Sequence, residues 1–497
     1  MLRPVRHNFD LIINIIIMRN QQFFPEKGHA GDDLRAMLAE HQSGDAGWKE
    51  GRTFGFVYHP GDQYAKLSEE YQSAFQYAST LNPSAFPSLR KFEKDIIGMA
   101  AELMHGDAHA TGSITTGGTE SIFLALKVAR DTVMESGIKE TPFEVLLPSS
   151  AHPAFLKACH YLSLKPVIVD VDHEGRVRTE SMQEAITRHT ILMAASAPCF
   201  PYGVVDPVQQ LGAISRKHHL FFHVDACMGG FMLPFMEELG YDIPLFDFRV
   251  RGVTSISLDA HKYGYAPKGN SILLYRTRKL RRNQFFIYTE WPGGIFASTT
   301  FMGTKSGGPQ AGCWAIMNHL GKEGYRGIVK EVMRTTQRIR EGISRFDSLE
   351  IVGNPEMSLL SFTSKTGNTF NIGDALGRKG WLLDRLQFPN ALHMTITRLN
   401  CGMEEEFLKD LAGVMSNEEA LMKEYRATRN SVNIANTLTR YLPSAMVERL
   451  TRKAGGMISG SQGGTRIPEA ALYGMSASFK NRKNIRKLVT NLLDGMY

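Results

Sequence analysis

The chain has 497 residues, long enough for two domains with full cores, and its 43% hydrophobic and 22% charged residues are ordinary for a soluble globular protein. A net charge of +7 is mild for that length, and without zinc-finger spacing or an aromatic stacking signature it speaks against a nucleic-acid partner. The cysteines Cys159, Cys199, Cys227, Cys313 and Cys401 are scattered and odd in number, which suggests neither a disulfide framework nor a zinc site and fits a reducing, cytoplasmic compartment.

Leu11 to Met18 is apolar but interrupted by Asn14, far short of the roughly 20 residues a membrane helix needs. Asp10 stands where a signal peptide would be basic, so the run reads as an N-terminal packing or dimerisation element. Residues 1–60 form an arm that ends in Gly55-Phe56-Val57-Tyr58. Apolar periodicity predicts helices over 65–80 and 87–104, parted by the breaker Asn82-Pro83-Ser84.

From Thr111 strands and helices alternate. Strands are expected at 111–116, 144–147, 166–171, 190–195, 220–224, 253–257 and 271–275, with helices from 119, over 153–162, 182–188 and 207–217. That alternation predicts an α/β fold with a mostly parallel central sheet, whose ligands gather at strand ends and helix starts. The basic cluster Arg276, Arg278, Lys279, Arg281 and Arg282 reads first as a solvated face and second as a contact for an anionic surface or lipid headgroups. Beyond residue 310 the pattern changes to a long helix, 314–345, with a break at Gly324, then strands near 349–352, 358–363 and 392–397 and a helix over 404–414. A smaller C-terminal α+β domain is expected, giving boundaries of 1–60 for the arm, 61–310 for the large domain and 311–497 for the small one. The polar, glycine-containing segment 417–466 reads as a mobile lid or a surface insertion, the second favoured.

The chemistry concentrates at strand ends. The run Val253 to Ser257 leads into Leu258-Asp259-Ala260-His261-Lys262-Tyr263-Gly264, and a lysine ejected at the end of a buried strand suits an amine whose pKa desolvation depresses, ready to form a Schiff base. The strand before it ends at Asp225, placed to bond the ring nitrogen of pyridoxal phosphate and keep the ring electron-withdrawing. Thr116-Gly117-Gly118-Thr119-Glu120-Ser121 opens an apolar helix. Free N–H groups and the helix dipole make such a start an anion cradle. Alone it is an ordinary capped loop; on the same alternating pattern as Asp225 and Lys262 it suits the cofactor phosphate. Ser149-Ser150-Ala151-His152-Pro153 puts a histidine at another strand end, where it can lie on the cofactor ring.

Together, Thr-Gly-Gly-Thr-Glu-Ser at 116–121, Ser-Ala-His at 150–152, His-Val-Asp-Ala-Cys-Met-Gly-Gly-Phe at 223–231 and His-Lys-Tyr-Gly-Tyr-Ala-Pro-Lys-Gly at 261–269 resemble the sphingosine-1-phosphate lyases. The likeness extends through Phe-Asp-Phe-Arg-Val-Arg-Gly-Val-Thr-Ser-Ile-Ser at 246–257, Trp-Pro-Gly-Gly-Ile-Phe-Ala-Ser at 291–298, Gly-Trp-Leu-Leu at 380–383, Leu-Gln-Phe-Pro at 386–389 and Leu-Tyr-Gly-Met at 472–475. The resemblance implies a fold-type I pyridoxal 5′-phosphate enzyme, homodimeric, with sites at the subunit interface, acting on a phosphorylated long-chain base. It implies Lys262 as the cofactor lysine, Asp225 at the ring nitrogen and His152 on the ring. Gly118, Thr119 and His261 would hold the cofactor phosphate, with Thr304 reaching the other subunit's phosphate. Tyr58, Tyr202 and Lys268 match positions associated with the substrate head. Asn82 stands where the family pattern has a histidine, so it can donate a hydrogen bond but not a charge. The membrane anchor of eukaryotic members is not matched, and a soluble, bacterial-type member is expected, with peripheral membrane contact as its route to a lipid.

Overall fold

A computed structural model describes residues 24–430 apart from 83, 139, 140, 418 and 428, together with residues 489, 490 and 493. The apolar run at 11–18, most of the segment 417–466 and the motif at 472–475 lie outside the described residues. Two compact units are distinguished, Met1–Ala46 and Gly47–Tyr497. In the first, helix α1, Gly31–Gln42, opens with Asp32 and Asp33 and closes with His41, a charge order that suits the helix dipole.

The second unit is built on two sheets. The larger has seven strands: β2 Thr111–Thr115, β3 Glu144–Pro148, β4 Lys165–Val169, β5 Thr190–Ser196, β6 Phe221–Asp225, β7 Ser255–Leu258 and β8 Ser271–Tyr275. Their spatial order is β2-β8-β7-β6-β5-β3-β4. The β3–β7 neighbours pair in parallel, and β8 alone runs against both of its neighbours. Central strands of such a sheet are covered on both faces and read as continuous apolar runs. Accordingly Val224, Ile256, Leu258 and Ile272 are fully buried, each contributing roughly 2 kcal/mol by area. The carboxyl ends of β2, β3, β5, β6 and β7 share one edge. Register sets Ser196 opposite Asp225, and Asp225 opposite Ser257, across that edge.

The smaller sheet has the order β1-β13-β14-β12-β11, from β1 Thr53–Phe54, β11 Leu349–Ile351, β12 Leu359–Ser364, β13 Leu382–Gln387 and β14 Asn390–Thr395. Its pairs are antiparallel except β1 with β13, so two residues of the arm join a sheet made otherwise by the C-terminal region. Sequence periodicity does not reveal β13, because Asp384-Arg385 interrupts its apolar alternation.

The long helix runs Gly307–Ile343, beginning seven residues before the expected Trp314, and its non-helical residue is Gly321, not Gly324. Its start is capped by the Ser306 hydroxyl, which accepts from the Gly308 N–H at 3.2 Å. The two glycines there resemble a loop in sequence but serve close packing. A Cβ on Gly307 would lie 2.5 Å from Leu89, and one on Gly308 2.7 Å from the Gln72 carbonyl oxygen. The basic cluster is likewise not all solvated. Arg276 donates to the carbonyls of Val253, Phe248 and Val250, and Arg281 to the Ser113 hydroxyl at 3.1 Å.

Candidate active site

Lys262 sits on a tight turn four residues beyond the end of β7. Its N–H donates to the Asp259 carbonyl at 3.1 Å, and its own carbonyl accepts from Tyr265 at 2.9 Å. Gly264 permits that turn, because a Cβ there would meet the Ala260 oxygen at 2.5 Å. Two tyrosines hold it from outside. Tyr263 contacts the Ser358 hydroxyl at 2.7 Å and donates to the Ile396 carbonyl at 3.0 Å, while Tyr325 donates to the Gly264 carbonyl at 2.7 Å. The lysine is therefore clamped between the small sheet and the long helix.

The electrostatics of Lys262 reverse the sequence expectation. Burial alone would lower its pKa, but Asp259, Cys227 and Asp225 override burial and hold it above the ordinary lysine value. Its Nζ lies 3.0 Å from Asp259 Oδ2. Burial would in turn raise the Asp259 carboxyl, yet Lys262 and His261 keep it below its usual range. Without a cofactor the amine is an ammonium in an ion pair, and it must shed a proton to act as a nucleophile. Asp259 is thus a site residue to which the sequence reading gave no role; its place three residues before the lysine on a turn was the available signal.

The remaining expected residues converge on a cavity of about 570 Å³ lined by Thr116, Gly117, Gly118, Thr119, His152, Asp225, His261, Lys262, Tyr58 and Lys268, among others. Helix α4, Gly118–Glu135, starts here without a side-chain cap, so its first-turn N–H groups have no intrahelical acceptor. A Cβ on Gly118 would lie 2.8 Å from Cys227 Sγ and 3.0 Å from Asp259 Oδ2. The loop before it is pinned by Glu120, whose carboxylate accepts from the Thr116 N–H at 2.6 Å and the Phe301 N–H at 2.6 Å. His261 Nδ1 is buried without a hydrogen-bond partner, and burial lowers the pKa of that ring. The His261 Nε2 faces Asp259 Oδ2 at 3.7 Å, which leaves Nδ1 as its open position; orphan backbone donors beside that nitrogen fit a phosphate group.

At the end of β6, Asp225 Oδ1 accepts from the Cys227 N–H at 3.0 Å and the Ser257 hydroxyl at 3.3 Å. Behind it His223, fully buried, bridges Ser255 at 2.9 Å and Ser257 at 3.1 Å. Burial pushes that ring down to about 4, so it orders the strand ends as a neutral group. Cys227, also in the cavity lining, has its thiol pushed up, chiefly by burial. His152 is exposed into the cavity, and its Nδ1 accepts from the Ala154 N–H at 3.2 Å, which fixes the ring. An acid at the strand end, an orientable imidazole and a lysine above an anion cradle are the donor set of an aldehyde-and-phosphate cofactor.

Tyr58 and Lys268 form a second cluster in the same cavity. Lys268 Nζ donates to the Phe56 carbonyl at 3.0 Å and lies 5.0 Å from the Tyr58 ring centre. Burial, then Lys262, lowers the Lys268 pKa. Three expected residues are not brought to this cavity within one chain. Tyr202 donates to the Phe388 carbonyl at 2.8 Å. Asn82 Oδ1 accepts from the Ser84 and Ala85 N–H groups at 3.0 and 3.3 Å. Thr304 is exposed. Asp384, Thr395 and Ser196 line the cavity without having been anticipated.

Residues 75–365 match the pyridoxal-dependent decarboxylase conserved domain. The chain is 41% identical over 397 residues to the sphingosine-1-phosphate lyase of Dictyostelium discoideum, covering 79% of this chain and 74% of that protein. The chain belongs to the sphingosine-1-phosphate lyase family. The structure of the Burkholderia pseudomallei sphingosine-1-phosphate lyase superposes with a TM-score of 0.76 at 34% identity, covering 85% of this chain and 98% of that one. A glutamate decarboxylase from Lactobacillus brevis, 18% identical with a TM-score of 0.70 over 80% of this chain and 95% of that one, shares the fold. As in this lyase family, the fold is fold-type I and the cofactor is pyridoxal 5′-phosphate. Among the described residues no helix is long and apolar enough to cross a membrane.

Proposed function

We propose that this chain is a carbon–carbon lyase that cleaves the C2–C3 bond of sphingosine-1-phosphate or its dihydro form, giving a long-chain aldehyde and phosphoethanolamine. The observation that carries this reading is the pairing, in one cavity, of the Lys262–Asp259 ion pair and glycine cradle with a second cation, Lys268, beside Tyr58. One anion cradle serves the cofactor, and Lys268 is left for a phosphate on the substrate.

When bound, the cofactor supplies a protonated pyridine ring that takes up the electron pair released at C2. Lys262 would carry its aldehyde carbon, Asp225 would sit at the ring nitrogen and His152 on the ring face. The first-turn N–H groups of Gly118 and Thr119, with His261, would hold its phosphate. Lys268 and Tyr58 orient the substrate head, so that the bond to be broken stands perpendicular to the ring; positioning of this kind contributes directly to rate. The C3 hydroxyl loses its proton as C3 departs as the aldehyde, and C2 gains one. Lys262 Nζ, 3.0 Å from Asp259, is a proton store within the site for the second transfer. Tyr202 and Thr304 remain substrate and cofactor contacts on the family pattern alone, and Asn82 only on its position, where that pattern has a histidine.

The protein is taken to be a homodimer, with Thr304 reaching the other subunit's cofactor phosphate. Apolar side chains exposed just before Thr304 support this, among them Ile287 at 62%, Ile295 at 76% and Phe301 at 67%. Patches of that kind mark interaction sites. All five cysteines are free, in keeping with a cytoplasmic setting. The division into an arm (1–60), a large cofactor domain (61–310) and a small domain (311–497) is kept as the working description.

An amino-acid decarboxylase is the rival, since the same fold and cofactor serve it. Purified protein supplied with pyridoxal phosphate is given dihydrosphingosine-1-phosphate and, separately, an amino-acid panel. Long-chain aldehyde from the first and no CO2 from the second is the expected result; CO2 from an amino acid without aldehyde from the lipid would reverse the assignment.

A further inference from the structure

The small sheet lends the cavity two polar side chains, Asp384 from β13 and Thr395 from β14. Three carboxylates line the cavity. Asp225 accepts from Cys227 and Ser257, and Asp259 is paired with Lys262. The Asp384 side chain makes no hydrogen bond or ion pair among the described residues, and its neighbour Arg385 pairs with Asp374 at 2.7 Å. Burial pushes the Asp384 carboxyl up to about 6, with Arg385 acting the other way. A mostly buried acid without a partner costs free energy, and its retention in a ligand cavity indicates that a ligand satisfies it.

Its position says which part of the ligand. A Cβ on Gly55 would lie 3.2 Å from Asp384 Oδ2, so the carboxylate abuts the start of the segment Gly55–Tyr58. Lys268 rests on the other end of that segment, bonded to the Phe56 carbonyl at 3.0 Å and set over the Tyr58 ring. One short stretch of backbone therefore carries an uncommitted anion and a cation. The substrate head proposed above is a dipole of matching sense, a phosphate on C1 and an ammonium on the neighbouring C2.

We propose that Asp384 and Lys268 form a two-ended clamp on the arriving head, Lys268 taking the phosphate and Asp384 the C2 ammonium, with the adjacent hydroxyl, before that nitrogen gives up its protons to join the cofactor. The clamp rests on the substrate class proposed above and adds to it a residue from the small sheet. It also supplies discrimination, because Asp384 repels the carboxylate of an amino acid that enters the cavity.

The test uses the cofactor-loaded enzyme, wild type and Asp384→Asn, with dihydrosphingosine-1-phosphate as substrate and phosphoethanolamine and ethyl phosphate as competing ligands. Loss of a charge-assisted contact predicts a KM roughly 10- to 100-fold higher with kcat changed by no more than about threefold. Inhibition by phosphoethanolamine should weaken in parallel, while inhibition by ethyl phosphate, which lacks the amine, should not. Asp384→Glu should recover part of the loss, and cofactor absorbance should be equal in all three proteins. An unchanged KM, or equal weakening toward both phosphate esters, would overturn the clamp. A wild-type enzyme that fails to cleave the lipid would instead defeat the substrate class, and the comparison of the two esters by calorimetry would still read the role of Asp384.

Discussion

A lysine that lies 3.0 Å from its own counterion is not a free nucleophile until the pair gives up a proton. In this site Asp259 holds the resting ammonium and is present to take the charge back when the amine is regenerated. Lys262→Ala should abolish the visible absorbance of the loaded protein and lower turnover by roughly three or more orders of magnitude, read by absorbance and aldehyde release. An absorbance band that survives the substitution would remove Lys262 from its role. At Asp384 the stability consequence can be given a sign. Its carboxyl is raised from 3.8 to about 6 by burial, so the folded state prefers the neutral acid. The stability from that preference is fully present below 3.8 and is lost as the pH rises through about 6. Asp384→Asn should therefore be more stable than wild type at neutral pH, on the order of 1–3 kcal/mol after allowing for partial solvation, and the gain should vanish near pH 4. Denaturant titration at the two pH values checks this, and a destabilised variant at neutral pH would contradict it. That Lys262, Asp225, His152 and the glycine cradle share one cavity was legible because each ends or follows a recognisable strand or opens a helix. Asp384 was not, because it stands inside a charged, unalternating strand that carries no sequence signal of its own.

At the scale of elements, the site is an edge effect. Parallel strands end together and their following loops meet at one rim, and the order of strand and helix from Thr111 to Tyr275 could be read from apolar runs and breakers, except for the short helix Leu233–Glu238 between β6 and β7. The glycine at the head of α4 (Gly118) is demanded by crowding. Gly118→Ala would drive a methyl group to 2.8 Å from Cys227 Sγ and 3.0 Å from Asp259. We expect cofactor affinity to fall at least about tenfold with little loss of secondary structure, measured by titration of the cofactor-free protein; unchanged affinity would remove the cradle from phosphate binding. The kink in the long helix has a different cause. Gly321 has φ 54° and ψ −177°, and nothing lies within 4 Å of a Cβ built there. Its substitution meets backbone strain alone, a conformation nearly reserved to glycine that costs roughly 1–3 kcal/mol. Gly321→Ala should lower stability by that amount and leave cofactor binding intact, as thermal unfolding with and without pyridoxal phosphate will show. The sequence alone offered several glycines in that helix, and only the backbone angles distinguish the one that bends it.

For the whole molecule, the turn that bears Lys262 is gripped beside the small sheet through Tyr263 and by the long helix through Tyr325, so the small sheet and the long helix hold that turn together. Such long-range contacts have no local signature, which is why the sequence pointed to a small domain without saying what it does for the site. The exposed hairpin of β9, Phe286–Tyr288, and β10, Phe296–Ser298, carries the prediction about assembly. Replacing Phe286 and Ile287 with serine should shift the sedimenting species from dimer to monomer and reduce activity with it; an unshifted species would place the interface elsewhere. The central claim is that C2–C3 cleavage leaves an electron pair on C2 that is quenched by a proton. It is tested most directly by running the wild-type reaction on dihydrosphingosine-1-phosphate in deuterium oxide and analysing the products by mass spectrometry. The account predicts phosphoethanolamine bearing a solvent deuteron at the former C2, in equal amount with long-chain aldehyde. Aldehyde formed without phosphoethanolamine, or phosphoethanolamine free of deuterium at that carbon, would contradict it.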